Sequence, residues 1–277
     1  MSRSYAEVIG DPVAHSKSPL IHGFWLDKLG IEADYSACHV QPDELAGYLA
    51  QRRGDPAWRG CNVTIPHKQA VMPLLDVIEE GAGRVGAVNT VVRGPGGALI
   101  GINTDVDGTA DAIAPASLQG EVAVVIGAGG AARAAFAVLA DRSCRLVRIL
   151  ARNPDKAARA AMECGLRAET MILADAAMAL EGAGLLVNAT QLGMAGQEPM
   201  PGGLLDALDG MAREALVFDM VYAPLETELL RAARARGLAT SDGLVMLVGQ
   251  AASAFHRFFG AVPPRGADSE LRKELTS

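Results

Sequence analysis

Positive charge is the scarcer sign in this chain: 25 Lys and Arg stand against 32 Asp and Glu, a formal net charge of −7. The charges are spread along the sequence without a basic stripe. That excludes the usual electrostatic footprint for nucleic acid and leaves no means of holding an anionic membrane. Apolar runs are short as well. None approaches the roughly 18 residues needed to cross a bilayer, and the opening MSRSYAEVIGDP holds too short an apolar stretch for a signal peptide, so a cytoplasmic protein is expected. The four cysteines, Cys38, Cys61, Cys144 and Cys164, are widely separated with no CxxC or zinc spacing, and reduced packing residues are the economical reading. The five histidines, at 15, 22, 39, 67 and 256, contain no HExxH spacing, so no metal is expected. No internal repeat or low-complexity tract is present. What remains is a globular protein acting on a small soluble ligand. Its 277 residues, 50% of them apolar, exceed one ordinary core and predict two domains.

The first half of the sequence alternates strands and helices. AEVIG predicts a strand that runs into the polar loop DPVAHSKSP, and PLIHGFWLDKLG predicts a helix with Pro near its start and Gly30 at its end. ADYSACHV, PDELAGYLAQRRG and GCNVTI continue as strand, helix and strand, the last stopping at Pro66. GAVNTVVRGPGGALIGINTD predicts a hairpin turning at GPGG, which implies a mixed sheet. From about residue 120 the pattern becomes βαβ: EVAVVIGAGGAARAAFAVLA, then the strand RLVRIL and the helix PDKAARAAMECG. Strands at LLVNAT and LVFDMV, with a helix LETELLRAARARG between the latter and LATSDG, extend a doubly wound pattern. A long helix around LVMLVGQAASAFHRFFG follows, and the polar tail PPRGADSELRKELTS reads as a loosely attached end.

Gly127, Gly129 and Ala132 form a GxGxxA pattern at a strand-to-helix junction. The first glycine permits a tight turn and the second lets the backbone approach a pyrophosphate. The small third residue lets helix and strand pack closely. The turn residues Gly127, Ala128, Gly129, Gly130 and Ala131 are therefore expected to hold a dinucleotide at the helix N-terminus. At the end of the following strand an acid would meet the ribose 2′-hydroxyl of NAD, but this chain has Arg152, with Lys156 one helical turn on. A guanidinium there pairs with a 2′-phosphate, so NADP is expected in preference to NAD.

The blocks VIGDPVAHSKSPLIH, NVTIPHK, GAVNT, NTD, GAGGAARA, DMVYAPLET and DGLVMLVGQA occur in order along nearly the whole chain. As an ordered set they resemble the shikimate dehydrogenase family, the shikimate/quinate dehydrogenases. The resemblance implies an α/β protein with a mixed-sheet substrate domain at residues 1–105 and 245–277. A Rossmann-type NADP domain would occupy residues 106–244, with the C-terminal helix returning to the substrate domain. It implies NADPH-dependent reduction of 3-dehydroshikimate to shikimate on the route to chorismate and aromatic amino acids, in a cleft between the domains.

Carried over by position, Lys68 of NVTIPHK is the expected catalytic lysine and Asp105 of NTD its partner and a substrate contact. A positioned ammonium stabilises the oxyanion formed on hydride addition and supplies its proton, and a carboxylate partner orients it. Ser16 and Ser18 flank Lys17 in an extended loop and face the same way, placing two hydroxyls on one oxygen cluster; the resemblance assigns them the substrate carboxylate, alongside an ordinary N-capping role. Asn62 and Thr64 share one side of a strand by its two-residue alternation, after which Pro66 ends the pairing and turns Lys68 the same way. Ile65 and His67 are expected to face elsewhere, His67 as a structural residue. Asn89, Tyr222 and Gln250 complete the substrate set by resemblance, and Met220 and Gly243 match nicotinamide-side positions. Four departures stand out: Val106 and Val245 where glycine is usual, both expected to add bulk near the cleft, Gln191 where serine is common, and Ala151 where asparagine is common. A quinate/shikimate dehydrogenase paralogue, with either NADP or NAD, and a non-catalytic NADP-sensing module are the competing readings; Ser18 in place of threonine and Arg152 in place of an acid weigh against the first, and Lys68 with Asp105 against the second. Monomer and homodimer are both compatible with the sequence.

Overall fold

The structure, a computed structural model, describes residues 3–276. They divide into two compact units, residues 3–104 with 250–276 and residues 105–249. The first unit carries β1 (Ser4–Gly10), α1 (Ser18–Leu29), β2 (Ala33–His39), α2 (Leu45–Arg53), β3 (Trp58–Val63), α3 (His67–Ala70), β4 (Val77–Ile78), α4 (Glu80–Val85), β5 (Thr90–Arg93) and β6 (Leu99–Ile102). The second carries α5 (Asp105–Ile113), β7 (Val122–Ile126), α6 (Gly130–Ala140), β8 (Leu146–Leu150), α7 (Pro154–Glu163), β9 (Glu169–Met171), α8 (Ala176–Leu180), β10 (Ala183–Asn188), α9 (Gly202–Ala207), β11 (Leu216–Asp219), α10 (Glu228–Ala235) and β12 (Ala239–Ser241). Then come α11 (Gly243–Phe259), within which the boundary falls, and α12 (Asp268–Thr276) in the first unit. Asp105, the first residue of α5, and residues 245–249 were expected with the substrate domain but belong to the second unit. Val245 and Met246 pack against the apolar core there, which holds the first turns of the helix to it.

The first unit's sheet runs β2-β1-β3-β5-β6-β4. β1 is parallel to both neighbours, whereas β5 is antiparallel to β3 and to β6, so the GPGG hairpin does mix the sheet. Strand alternation divides the side chains between two faces. Ile9, Cys61 and Val63 join Trp58, Leu49 and Val91 in one core, while Ala6 and Val92 meet Ala254 and Phe258 of α11 on the other. On the first of these faces Glu7 is buried at 4% exposure. Arg52 of α2 clamps it with two hydrogen bonds of 2.8 and 2.9 Å, and the Tyr48 hydroxyl donates a third at 2.8 Å.

The tail corrects the sequence expectation. It is a helix docked on α1, not a loose end: Leu271 is fully buried and Leu275 nearly so, and Lys28 of α1 pairs with Glu270 at 2.8 Å. Burying two leucines is worth about 1.5–3 kcal/mol each, enough to hold a short polar helix whose sequence alone gives little reason for order. Gly30 ends α1 as expected. Its φ of 62° turns the chain through the left-handed region and its N–H returns to the carbonyls of Asp27 and Leu26.

The second sheet is parallel throughout, in the order β12-β11-β10-β7-β8-β9. Alternation along VAVVI feeds two cores at once. Ala123 and Val125 join Phe136, Ile149, Val187 and Phe218, whereas Val122, Val124 and Ile126 join Leu150, Leu186, Val217 and Leu229. Every residue of β7 is therefore buried, as a central parallel strand covered on both faces requires. Asn153 caps α7 by accepting the Lys156 N–H, and Thr227 caps α10 by accepting that of Leu230. Among the described residues no helix is long and apolar enough to cross a membrane, no group of three or more potential metal ligands occurs, and all four cysteines are free.

Candidate active site

In the first unit three of the expected polar residues, Asn62, Asn89 and Gln250, are joined through Thr90 and Thr104 around the base of the β5–β6 hairpin. Asn62 of β3 lies opposite Thr90 of β5 in the strand register, and its Nδ2 donates to the Thr90 Oγ1 at 2.9 Å. The Thr90 hydroxyl donates to Asn89 Oδ1 at 3.0 Å. Asn89 Nδ2 donates to Thr104 Oγ1 at 3.0 Å, and the Thr104 N–H returns to Asn89 Oδ1 at 2.7 Å. The Thr104 hydroxyl donates to Gln250 Oε1 at 3.4 Å. None of these five residues is more than 8% exposed. Buried amides and hydroxyls cost free energy unless paired, so mutual bonding is what makes this cluster affordable. Thr90 and Thr104 were missed by the sequence reading. The signal was present as two Asn-Thr pairs, at 89–90 and 103–104, bracketing the hairpin.

Lys68 is half-buried in the short helix α3, and its carbonyl accepts the Val88 N–H at 2.8 Å, which ties it to the segment entering β5. His67 beside it is buried and donates from Nε2 to the Val40 carbonyl at 2.7 Å, a structural anchor as expected, while Ile65 is 69% exposed. β3 ends at Val63, one residue before Thr64, yet the Thr64 N–H still donates to the Ile9 carbonyl at 2.9 Å. Asp105 follows Thr104 directly as the half-buried first residue of α5 in the second unit, and its carbonyl accepts the Thr109 hydroxyl at 2.8 Å. Ser18 opens α1 and is buried; its N–H donates to the half-buried Ser16 Oγ at 3.2 Å, while Lys17, at the capping position, makes no side-chain cap.

Behind Ser18, one turn along α1, His22 is fully buried with neither ring nitrogen hydrogen-bonded. It stacks on Tyr35 at 3.9 Å and 2°, with Trp25, Phe255 and Phe258 around it. Burial pushes its imidazole down to about 3. The unfolded chain therefore takes up a proton near pH 6.5 that the folded one refuses until about pH 3, and stability present above pH 6.5 is lost as pH falls through that window. We expect urea unfolding to show a loss approaching about 1.4 kcal/mol per pH unit below pH 6 from this residue. The loss should be smaller in His22→Phe; an identical acid dependence in the variant would exclude His22 as its source.

In the second unit, Gly127 ends β7 with φ 103°, and a Cβ there would meet Thr190 Cγ2 at 2.7 Å, so no other residue fits this turn. Gly129 and Gly130 are exposed and open, and the N-cap position of α6 has no side-chain cap, leaving its first N–H groups to a ligand. Ala128 is half-buried and Ala131 exposed, while Ala132 is fully buried against the sheet. The turn thus suits a pyrophosphate. Arg152 and Lys156 are both exposed, on the loop after β8 and the first turn of α7.

A second network, not anticipated from sequence, braces the ends of β10 and β11. Asp219 is fully buried and accepts from Asn188 Nδ2 at 2.9 Å, the Val221 N–H at 3.0 Å and the Thr227 hydroxyl at 2.7 Å. Asn188 Oδ1 in turn accepts the Thr190 hydroxyl at 2.7 Å. Burial pushes the Asp219 carboxyl up despite these donors. The network fixes the turn carrying Met220 and the 43% exposed Tyr222. Gly243 packs against this turn so closely that a Cβ would run into the Met220 carbonyl oxygen and lie 2.8 Å from the Val221 carbonyl carbon. Val106 and Val245 pack against the core of this unit, and Gln191 is exposed.

Comparison with known proteins agrees with this arrangement. Residues 8–91 match the shikimate dehydrogenase substrate binding domain, residues 109–195 the shikimate/quinate 5-dehydrogenase model and residues 243–268 the shikimate 5′-dehydrogenase C-terminal domain. A shikimate dehydrogenase (NADP(+)) of Sphingopyxis alaskensis is 55% identical over 99% of this chain and 97% of its own length. The crystallised shikimate 5-dehydrogenase of Thermus thermophilus, in complex with NADP(H) and shikimate, superposes with a TM-score of 0.83 at 37% identity, covering 98% of this chain and 99% of that one. A 5-ketofructose reductase of Gluconobacter has a TM-score of 0.88 at 28% identity, with 99% of each chain covered. The glycine turn, the paired amide network and these matches along the whole length lead to one conclusion: this chain belongs to the shikimate dehydrogenase family.

Proposed function

We propose that the chain is an NADP-dependent oxidoreductase that reversibly reduces 3-dehydroshikimate to shikimate. The observation that carries the proposal is the buried run of amides and hydroxyls from Asn62 to Gln250, tethered through Val88 to the Lys68 backbone. Fixed donors and acceptors of this kind suit a polyhydroxylated ring, because an analogue lacking one hydroxyl leaves a buried partner unpaired. Ser16 and Ser18 hold the substrate carboxylate, and Asn62, Thr64, Asn89, Tyr222 and Gln250 contact the ring. When bound, NADPH supplies the hydride. Lys68 stabilises the charge developing on the carbonyl oxygen and gives that oxygen a proton; in the reverse direction its neutral amine takes the hydroxyl proton. Asp105 orients the lysine and contacts the substrate. Gly127 to Ala131 hold the pyrophosphate, Arg152 and Lys156 the 2′-phosphate, and Met220 and Gly243 shape the nicotinamide side. Free thiols suit a reducing cytoplasm.

The test is nicotinamide absorbance with shikimate or quinate, each paired with NADP or NAD. NADPH formation with shikimate alone supports the proposal; quinate preference moves the chain to the paralogue activity, and no turnover in any pairing removes the assignment. In the same assay Arg152→Ala should raise KM for NADP at least tenfold while leaving NAD within about twofold, since a charge-assisted pair is worth about 1.5–3 kcal/mol. An unchanged NADP/NAD ratio would reject the role of Arg152.

A further inference from the structure

The Tyr35 hydroxyl occupies a junction that the reaction outlined above does not use. It donates to Asn62 Oδ1 at 2.6 Å, and the Ser18 side chain interacts with the same hydroxyl. An asparagine amide can be turned over end for end at almost no cost in shape, so which atom it presents is decided by its neighbours. Thr90 is one such neighbour: with its proton given to Asn89 Oδ1, its oxygen accepts from Asn62 Nδ2. Tyr35 holds the other end of the amide. Its ring is clamped by the stack on His22 at 3.9 Å and lies beside Phe258 of α11 at 6.4 Å, so the hydroxyl has one place to be. Burial holds it protonated, far from ionisation, and its short bond to Oδ1, with the bond from Nδ2 to Thr90, leaves one further N–H on the Asn62 amide.

We infer that Tyr35 is a positioning residue for substrate selection: packed on His22, its hydroxyl acts on Oδ1 as Thr90 acts on Nδ2, and together they set the Asn62 amide so that the site offers an N–H donor to a ring hydroxyl. The inference rests on the substrate role given to Asn62 above.

Tyr35→Phe keeps the ring and the stack and removes only the hydroxyl. Its KM for shikimate should rise about tenfold, the value of one buried hydrogen bond, with KM for NADP within about twofold. In an Asn62→Ala background the same change should cost less than about twofold, because the two residues act as one unit. The thermal midpoint should move little, whereas Tyr35→Leu, which loses the stack, should lower it. The side-chain NH2 signals of Asn62, identified in a ¹⁵N spectrum by their loss in Asn62→Ala, should broaden or double in Tyr35→Phe. Unchanged KM, full additivity of the two substitutions, or unperturbed Asn62 signals would each overturn the inference. If the parent enzyme turns over no shikimate, that result removes the functional assignment, and the amide signals still decide whether Tyr35 sets the orientation.

Discussion

Lys68→Ala should lower turnover by about 10²- to 10⁴-fold, the usual contribution of a positioned acid–base group. KM for NADP should change by less than about threefold, since the cofactor is assigned to the glycine turn, Arg152 and Lys156, and Lys68 only to the proton. The expectation follows from electron counting at the carbonyl. Hydride addition leaves a full negative charge on oxygen, and water is a poor acid at neutral pH, so the step is slow unless a cation is already in place. The cation we propose is Lys68, whose backbone is tied to the amide network through Val88; the carboxylate we propose to orient it, Asp105, follows Thr104 in the chain, whose own N–H is fixed by Asn89. Lys68→Arg would preserve charge but hold its proton too tightly to donate it, and should remain nearly as impaired. Steady-state kinetics in both directions check this; a variant retaining more than a tenth of parental turnover would remove Lys68 from the proton-transfer role.

The second large effect concerns stability. Arg52→Met should destabilise the protein by about 3 kcal/mol, the low end of the range for breaking a buried pair, because the guanidinium keeps some solvent contact. The loss arises from what is left behind: Glu7, 4% exposed, would be a buried carboxyl group without its cation and without two of its hydrogen bonds. Arg52 also lies over the rings of Tyr5 and Tyr48 at 5.6 and 5.1 Å, so packing is lost with charge. Adding Glu7→Gln to Arg52→Met should recover a large part of the deficit, since a neutral amide no longer demands a cation. Urea midpoints of the two variants decide the matter. A loss below about 1 kcal/mol, or no recovery in the double variant, would mean that the pair contributes little.

Much of the architecture was legible in the sequence because the signals are local. Strand alternation, the glycine at the end of α1, the GPGG hairpin and the GxGxxA junction each specify backbone conformation within a few residues. Short elements escaped notice: β4 has two residues and β9 three, too few for any period to register. The tail escaped for a different reason. Its two buried leucines are separated by three polar residues, a helical spacing that acquires meaning only when α1 offers a surface to cover. Val106 and Val245, read as bulk near the cleft, are half-buried and pack on the second unit's core, a contact that no local pattern announces.

The sequence by itself determined the class of chemistry, since a cofactor turn and an ordered set of polar motifs are written in contiguous residues whose geometry the backbone dictates. The tertiary structure decided the partnerships. Tyr35 with Asn62, Glu7 with Arg52, Asp219 with Asn188 and Lys28 with Glu270 are separated by 27, 45, 31 and 242 residues. Hydrogen-bonding capacity is a property of each side chain alone, but which donor meets which acceptor depends on strand order and on which face each strand turns inward. Those are settled only when the whole core closes.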